Sequence, residues 1–325
     1  MSTSTETGLP GRTYRVIQWA TGSIGRISIR HVVDTPGYEL VGVYVTSAEK
    51  VGVDAGTLAG IDPVGVAATG SVDDVLALEA DCVNYAPLYA DVDEMCRILR
   101  SGKSIVTPTG WVFPAGLANQ EPVARLAAAC RDGGSSLFGA GIHPGFSGDL
   151  LPLTVARLCT RVDRVTVQEV ADLAPHPSHA MNFDGLDFDV AVAKTDLTVR
   201  SGEIPAGTVG GMRHEWIALA GGRPVIVFRS FWKMSDDLEP NWGYGTVKYS
   251  VSIEGEPSTT LTLEPSRRHP TGDEGYWGRV WTAMNAVNAI PAVCAAPPGI
   301  HTHLDLPLVR PVGLVRPEPA TVVRS

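Results

Sequence analysis

A short apolar run, Tyr14–Ala20, passes directly into Ala20-Thr21-Gly22-Ser23-Ile24-Gly25-Arg26, and helical spacing begins at Ile24. Few local patterns constrain a fold more. A strand that turns at once into a helix, with two glycines three residues apart, is the start of a βαβ unit built to receive an anion. Gly22 lets backbone N–H groups approach a pyrophosphate, and Gly25 lets the helix pack closely on the strand. The positive end of the helix dipole then faces the phosphates. The usual first glycine of the G-x-G-x-x-G signature is alanine here, at position 20. The strand–turn–helix context carries the reading where the bare glycine pattern would not.

The rest of the first half continues the alternation. Glu39–Val45, Val66–Thr69, Cys82–Tyr85, Ile105–Thr107 and Leu137–Gly139 read as short strands. Ile24–Val33, Asp73–Leu78, Val92–Arg100 and Pro122–Arg131 read as helices between them. Short strands apolar on both faces, alternating with helices, specify a doubly wound parallel sheet, the Rossmann plan. After about residue 145 the pattern changes. Arg164–Val170, Val225–Trp232, Thr246–Ile253 and Thr259–Leu263 read as longer strands with one polar face, and Trp277–Ile290 as a late helix stopped by Pro291. The expected class is α/β: an N-terminal Rossmann domain plus a second α+β domain with a mixed or antiparallel sheet. The expected divisions are a disordered tail over 1–12, a dinucleotide-binding domain over 13–145, a substrate and dimerisation domain over 146–276, and a helix and tail over 277–325 that return to the first domain.

Composition removes several classes. The 325 residues carry Lys+Arg 26 against Asp+Glu 35, a net charge of -9, which argues against a nucleic-acid surface. No run of 18 apolar residues exists, so no membrane-spanning helix is expected, and Met1–Arg12 lacks the apolar segment of a secretory signal. Five scattered cysteines with no C-x-x-C pair read as reduced thiols in a cytoplasmic protein. The missing G-x-S-x-G elbow removes the common serine-hydrolase reading.

The strand ends supply the candidate site. Thr21, Gly22, Ser23, Ile24 and Gly25 would hold the pyrophosphate. The second strand ends at Thr46-Ser47, with Lys50 three residues on. Two hydroxyls and a cation suit a 2′-phosphate, which favours NADP over NAD, although Glu49 offers a carboxylate of the kind that accepts from ribose hydroxyls. Asn84 and Tyr85 after the fourth strand, and Thr107 and Thr109 after the fifth, would line the nicotinamide side. The stretch Gly139–Asp149 contains Gly141, His143 and Pro144 and reads as extended backbone suited to a hinge and to a carboxamide contact.

The segments Gln18–Gly25 (QWATGSIG), Val45–Gly60 (VTSAEKVGVDAGTLAG), Gly139–Pro152 (GAGIHPGFSGDLLP) and Asn285–Ile300 (NAVNAIPAVCAAPPGI) resemble the dihydrodipicolinate-reductase-like superfamily. They are closest to its branch of diaminopentanoate dehydrogenases and native NAD(P)-dependent amine dehydrogenases. The resemblance implies a Rossmann domain, a second substrate-contacting domain, a homodimer, and reversible hydride chemistry at a C=N bond. Two departures stand out. The reductases carry paired histidines with a nearby lysine, whereas this chain has His176 and His179 spaced apart. The amine-dehydrogenating branch carries a glutamate in the loop after the fifth strand, where this chain has Thr109-Gly110.

The remaining constellations weigh less. His176 and His179 near Asp172, and His301 and His303 near Asp305, read as ordinary histidines of Pro-rich surface segments, so no metal is expected. Phe183, Phe188, Trp216, Phe231, Trp232, Trp242, Tyr244, Trp277 and Trp281 crowd the second half. Around Trp232–Trp242 they mix with Asp236, Asp237 and Glu239 in a way that suits a small amine or imine. The expected activity is an NAD(P)-dependent oxidoreductase on a small imine, amine or carbonyl, with Thr109, Tyr85 and Glu239 as acid–base candidates. The competing readings are a carbonyl reductase and a nucleotide-binding sensor with little turnover.

Overall fold

The computed structural model describes residues 12–109, 120–174, 189–199, 202–242, 247–273, 275–311 and 314. Two compact units divide them. The first runs to Gly141 and resumes at Ala283; the second is Ile142–Thr282. These divisions lie four to six residues from those expected at 145 and 277. The segment 1–12 expected to be a tail falls, except for Arg12, outside the described residues.

The first unit strings β1 (Tyr14–Trp19), α1 (Ser23–Asp34), β2 (Tyr38–Tyr44), α2 (Ala55–Ala59), β3 (Ala68–Thr69), α3 (Val72–Ala77), β4 (Cys82–Tyr85), α4 (Val92–Arg100), β5 (Ser104–Thr107), α5 (Gln120–Gly133) and β6 (Ser136–Gly139). The strands β4, β5 and β6 are buried at every position. Alternate residues feed two cores, one around Val16, Ile29, Val43 and Phe138, the other around Ile17, Trp19, Leu99 and Leu137. A parallel sheet covered on both faces is the result, ordered β6-β5-β4-β1-β2-β3 from one side. A further strand, Gly299–His301, adds in parallel to β6 and makes seven.

The second unit opens on a π-helix, Ile142–Leu150, and α6 (Leu151–Ala156). The strands that follow are β7 (Arg161–Asp172), β8 (Asp189–Ala193), β9 (Leu197–Val199), β10 (Gly202–Ile204), β11 (Val209–Ala220), β12 (Arg223–Lys233), β13 (Leu238–Glu239), β14 (Lys248–Glu256) and β15 (Thr259–Leu263). A seven-stranded sheet forms in the order β13-β8-β11-β12-β7-β14-β15, and β9 pairs with β10. The sheet is mixed: β12 pairs parallel with β7, and its other ladders are antiparallel. Helix α7 (Tyr276–Val287) spans the division, and α8 (Ile290–Ala295) and β16 (Gly299–His301) complete the first unit.

The stretch expected to be extended after Gly141 is therefore helical. Its glycines do not hold it open. Gly145 takes φ 112°, a backbone closed to most side chains, and Ser147 Oγ donates to Ile142 O, five residues back, at 2.7 Å.

Candidate active site

The fingerprint turn is built as its residue types require. A Cβ on Gly25 would lie 2.2 Å from Ala20 O, so only glycine lets α1 sit this close to β1. A Cβ on Gly22 would meet nothing within 4 Å, which leaves open space in front of the α1 N-terminus. No side chain caps that terminus. Ala20, standing where glycine is usual, keeps the left-handed backbone at φ 69°. Gln18 Nε2 holds it by donating to Ala20 O at 2.9 Å, and Asn84 Nδ2 donates to Gln18 Oε1 at 2.7 Å. Thr21 Oγ1 is buried with no hydrogen-bond partner among the described residues. An uncapped helix N-terminus, an open approach over Gly22 and an orphaned hydroxyl beside it fit the pyrophosphate of a dinucleotide.

The tip of β2 carries both signs of charge. Thr46 is exposed, and a 3-10 turn over Ala48–Lys50 follows Ser47. A hydrogen bond from the Ser47 side chain lowers the Glu49 carboxyl below its ordinary value. Glu49 and Lys50 thus occupy the same turn, one suited to ribose hydroxyls and the other to a 2′-phosphate.

The nicotinamide-side candidates turn inward more than expected. Asn84 is fully buried and supports the fingerprint turn by donating to Gln18, while its Oδ1 is buried with no hydrogen-bond partner among the described residues. Tyr85 requires correction as an acid–base candidate: its ring lies in the core beside Trp19, and its hydroxyl donates to Glu94 Oε2 at 2.7 Å. Trp19 Nε1 donates to the same oxygen at 2.9 Å. Tyr85→Phe is accordingly expected to lower stability by about 1.5–3 kcal/mol, the range for a lost bond to a charged group. The kcat should stay within twofold; a large fall with unchanged denaturant midpoint would return Tyr85 to the chemistry.

Thr107 is buried and accepts from Thr109 N at 3.0 Å, closing the turn after β5. Thr109 Oγ1 donates to Pro87 O at 2.7 Å and so ties the β4 and β5 exits together. With its hydrogen committed, that hydroxyl is left as an acceptor. Asn285 Nδ2 fixes the exit of β6, donating to Ala140 O at 2.8 Å and lying 3.2 Å from His303 Nε2. His303 is buried against Phe138, not on the surface, and its pKa falls to about 4 through burial. Its sequence neighbours have separate tasks: His301 Nε2 bonds Pro297 O, and Asp305 Oδ2 accepts from Thr302 N. His176 and His179 lie outside the described residues.

In the second unit the acids around Trp232–Trp242 are spent in ion pairs or face solvent. Asp236 pairs with Lys233, Asp237 with Lys194 at 3.1 Å, and Glu239 is exposed on β13. Phe183, Phe188 and Tyr244 lie outside the described residues. A different carboxyl dominates this unit. Glu169 on β7 is buried; it accepts from Trp232 Nε1 at 2.7 Å and from the Ser230 and Tyr249 hydroxyls. Burial nevertheless pushes its pKa up to about 7. His143, on the π-helix with Pro144, brings Nε2 to 3.9 Å from Glu169 Oε2. Its ring stacks on Phe228, and burial lowers its pKa to about 3.

Comparison with known proteins follows the same outline. Residues 189–316 match the 2,4-diaminopentanoate dehydrogenase C-terminal domain. An amine dehydrogenase of Streptomyces virginiae is 29% identical over 91% of this chain and 97% of that protein. A 2,4-diaminopentanoate dehydrogenase of Acetoanaerobium sticklandii is 26% identical over 56% of this chain and 60% of its own length. The structure of an amine dehydrogenase from Mycobacterium smegmatis superposes with a TM-score of 0.76 at 23% identity, covering 92% of this chain and 98% of that one. The chain is thus similar to an amine dehydrogenase over nearly its whole length, and to the diaminopentanoate dehydrogenases over its C-terminal domain. The matched C-terminal domain begins at β8 and extends past β16, so it leaves out the fingerprint, the π-helix and Glu169.

Sequence reasoning missed Gln18, Asn285 and above all Glu169. A lone Glu within an apolar strand, in Val165-Thr166-Val167-Gln168-Glu169-Val170, was the available signal for the last. Its position on the inward face would have marked it.

Proposed function

We propose that the protein is an NADP(H)-preferring oxidoreductase that interconverts a small primary amine with its imine or carbonyl. The observation that carries this reading is the fingerprint turn: an uncapped α1, open space over Gly22 and the orphaned Thr21 hydroxyl, on a chain similar to an amine dehydrogenase. The nicotinamide, when bound, accepts or donates the hydride.

The chain's own residues bind and orient. The α1 N-terminus and the backbone at Gly22–Gly25 take the pyrophosphate. Thr46, Ser47 and Lys50 take the adenine ribose and its 2′-phosphate. The Thr107–Thr109 turn, held to Pro87, forms a wall whose free lone pairs accept from N–H groups. Asn285 anchors Ala140 and Gly141 and so fixes the backbone at the exit of β6.

Binding titrations test the cofactor. NADPH is expected to bind more tightly than NADH, and Lys50→Ala to erase most of that difference. A charge-assisted contact of about 1.5–3 kcal/mol corresponds to roughly 10- to 150-fold. Equal weakening of both nucleotides would remove Lys50 from the 2′-phosphate. Nicotinamide-linked turnover of small ketones with ammonia, and of primary amines in reverse, tests the reaction. Ketone reduction that ignores ammonia would favour the carbonyl reductase, and tight binding without turnover the sensor.

A further inference from the structure

Four strands of the second unit bring polar side chains into one row. Tyr249 on β14 pairs with Glu169 on β7, Glu169 with Ser230 on β12, and Ser230 with His214 on β11. Residues in register across a sheet share a face. The π-helix lies on that face, since His143 stacks on Phe228 at 4.3 Å and lies 5.6 Å from the Tyr249 ring.

The tautomer of His143 follows from its neighbours. Ser147 Oγ gives its hydrogen to Ile142 O at 2.7 Å, so it can only accept from His143 Nδ1, also at 2.7 Å. Nδ1 therefore carries the proton of the neutral ring, and Nε2 carries a lone pair. That Nε2 is buried, lacks a hydrogen-bond partner among the described residues, and lies 3.9 Å from Glu169 Oε2. The two side chains are only 1% and 8% exposed. The gap is too long for a direct hydrogen bond. A nitrogen about 2.8 Å from both atoms would present its two N–H bonds at roughly 90°, close to what a tetrahedral ammonium offers.

We propose that Glu169 and His143 form the amine-binding acid–base couple of this protein, holding a primary ammonium or a protonated imine between Oε2 and Nε2. This rests on the reading of the chain as an amine-handling oxidoreductase. In oxidation an N–H bond of the ammonium breaks, its electron pair stays on nitrogen, and the proton goes to the Glu169 carboxylate. The substrate C–H bond then breaks, its pair leaving as hydride for the nicotinamide, while the nitrogen lone pair closes the C=N bond. In reduction the couple returns the proton to the nitrogen.

A carboxyl poised near neutrality serves both directions, and Glu169 is pushed up to about 7. The ionisable groups around it are His143 on the π-helix and Tyr249 on β14, with His214 on β11 acting on His143. Burial lowers both histidines and raises Tyr249. Amine oxidation, which needs the carboxylate, should rise with pH through about 7.

The test compares wild type, Glu169→Gln and His143→Phe, the last keeping the stack on Phe228. Expected for Glu169→Gln is a fall of about 10²–10⁴-fold in kcat/KM for amine oxidation. Its pH profile should lose the ionisation near 7, and NADPH affinity should not change. His143→Phe should lose at least about tenfold in the same constant, and it decides the matter if the glutamine variant does not fold. Infrared pH-difference spectra of the protein without nucleotide should show a carboxylic acid band titrating near neutrality, absent from Glu169→Gln. Turnover of wild type with both folded variants within threefold of it, or a neutral-pH limb that persists without Glu169, overturns the couple and leaves the proposed function standing. A wild type that binds NADPH but oxidises no amine overturns the functional reading, and the couple with it.

Discussion

Gly25→Ala should abolish nucleotide binding and destabilise the fold, whereas Gly22→Ala should weaken the nucleotide alone. The two glycines stand three residues apart in one turn and fail for different reasons. A methyl on Gly25 lands 2.2 Å from Ala20 O, and what it meets is backbone, which cannot rotate away as a side chain would. Either α1 lifts from β1 or the Ala20 turn opens, and Ala20 is already left-handed and pinned by Gln18. Forced overpacking typically destabilises by about 1–3 kcal/mol, and a backbone clash belongs at the upper end. A methyl on Gly22 meets nothing in the protein, so the denaturant midpoint should not move. It would occupy the space through which a pyrophosphate approaches the amides, and at least a tenfold loss of NADPH affinity, about 1.4 kcal/mol, is expected. Equal stability losses, or unchanged affinity in Gly22→Ala, would show that the turn does not hold the phosphates in this way.

The first unit was legible because its signals are local. Strands such as Cys82–Tyr85 are apolar on both faces and flanked by capped helices; Ser71 and Asp91 each accept from the first turn of the helix that follows. The second unit hid more. β11 opens with Val209-Gly210-Gly211, and a Cβ on either glycine would stand within 2.8 Å of the Leu238 side chain, which would have to shift. That constraint comes from β13, which pairs with β8 and not with β11, and it leaves no local trace. The glycines of Gly139–Asp149 misled in the other direction, since a π-helix has no familiar spacing to read. Strand ends predicted which backbone borders the nucleotide, but not where side chains point. Tyr85 is at the right place in the chain and turned into the core. Glu169 needed the register of β14, β7 and β12 before its company of Tyr249, Ser230 and Trp232 became visible.

His303→Phe should separate the acid stability of the first unit from that of the second. His303 is buried and its pKa is lowered to about 4, against an ordinary 6.5. The native state keeps the ring neutral while the unfolded chain protonates, so unfolding takes up a proton wherever the pH lies between those values. Stability therefore falls as pH drops from 6.5 toward 4, by about 1.4 kcal/mol per unit for one such group. Phenylalanine keeps an aromatic ring beside Phe138 and leaves Asn285 its bonds to Ala140 and Gly141. The stability difference between wild type and variant should therefore shift in the variant's favour by about 3 kcal/mol between pH 6.5 and 4. His143, lowered to about 3, acts in the same direction in the second unit. Glu169 acts in the opposite one: raised to about 7, it keeps in the native state a proton that the unfolded chain releases above about 4.5. Its contribution makes stability fall as pH rises from 4.5 to 7. Denaturant titrations at half-unit steps, with His303→Phe and Glu169→Gln each compared to wild type, resolve the opposed slopes. A His303→Phe difference that stays flat below pH 6.5 would mean that the ring protonates in the native state and that Asn285 accommodates the charge.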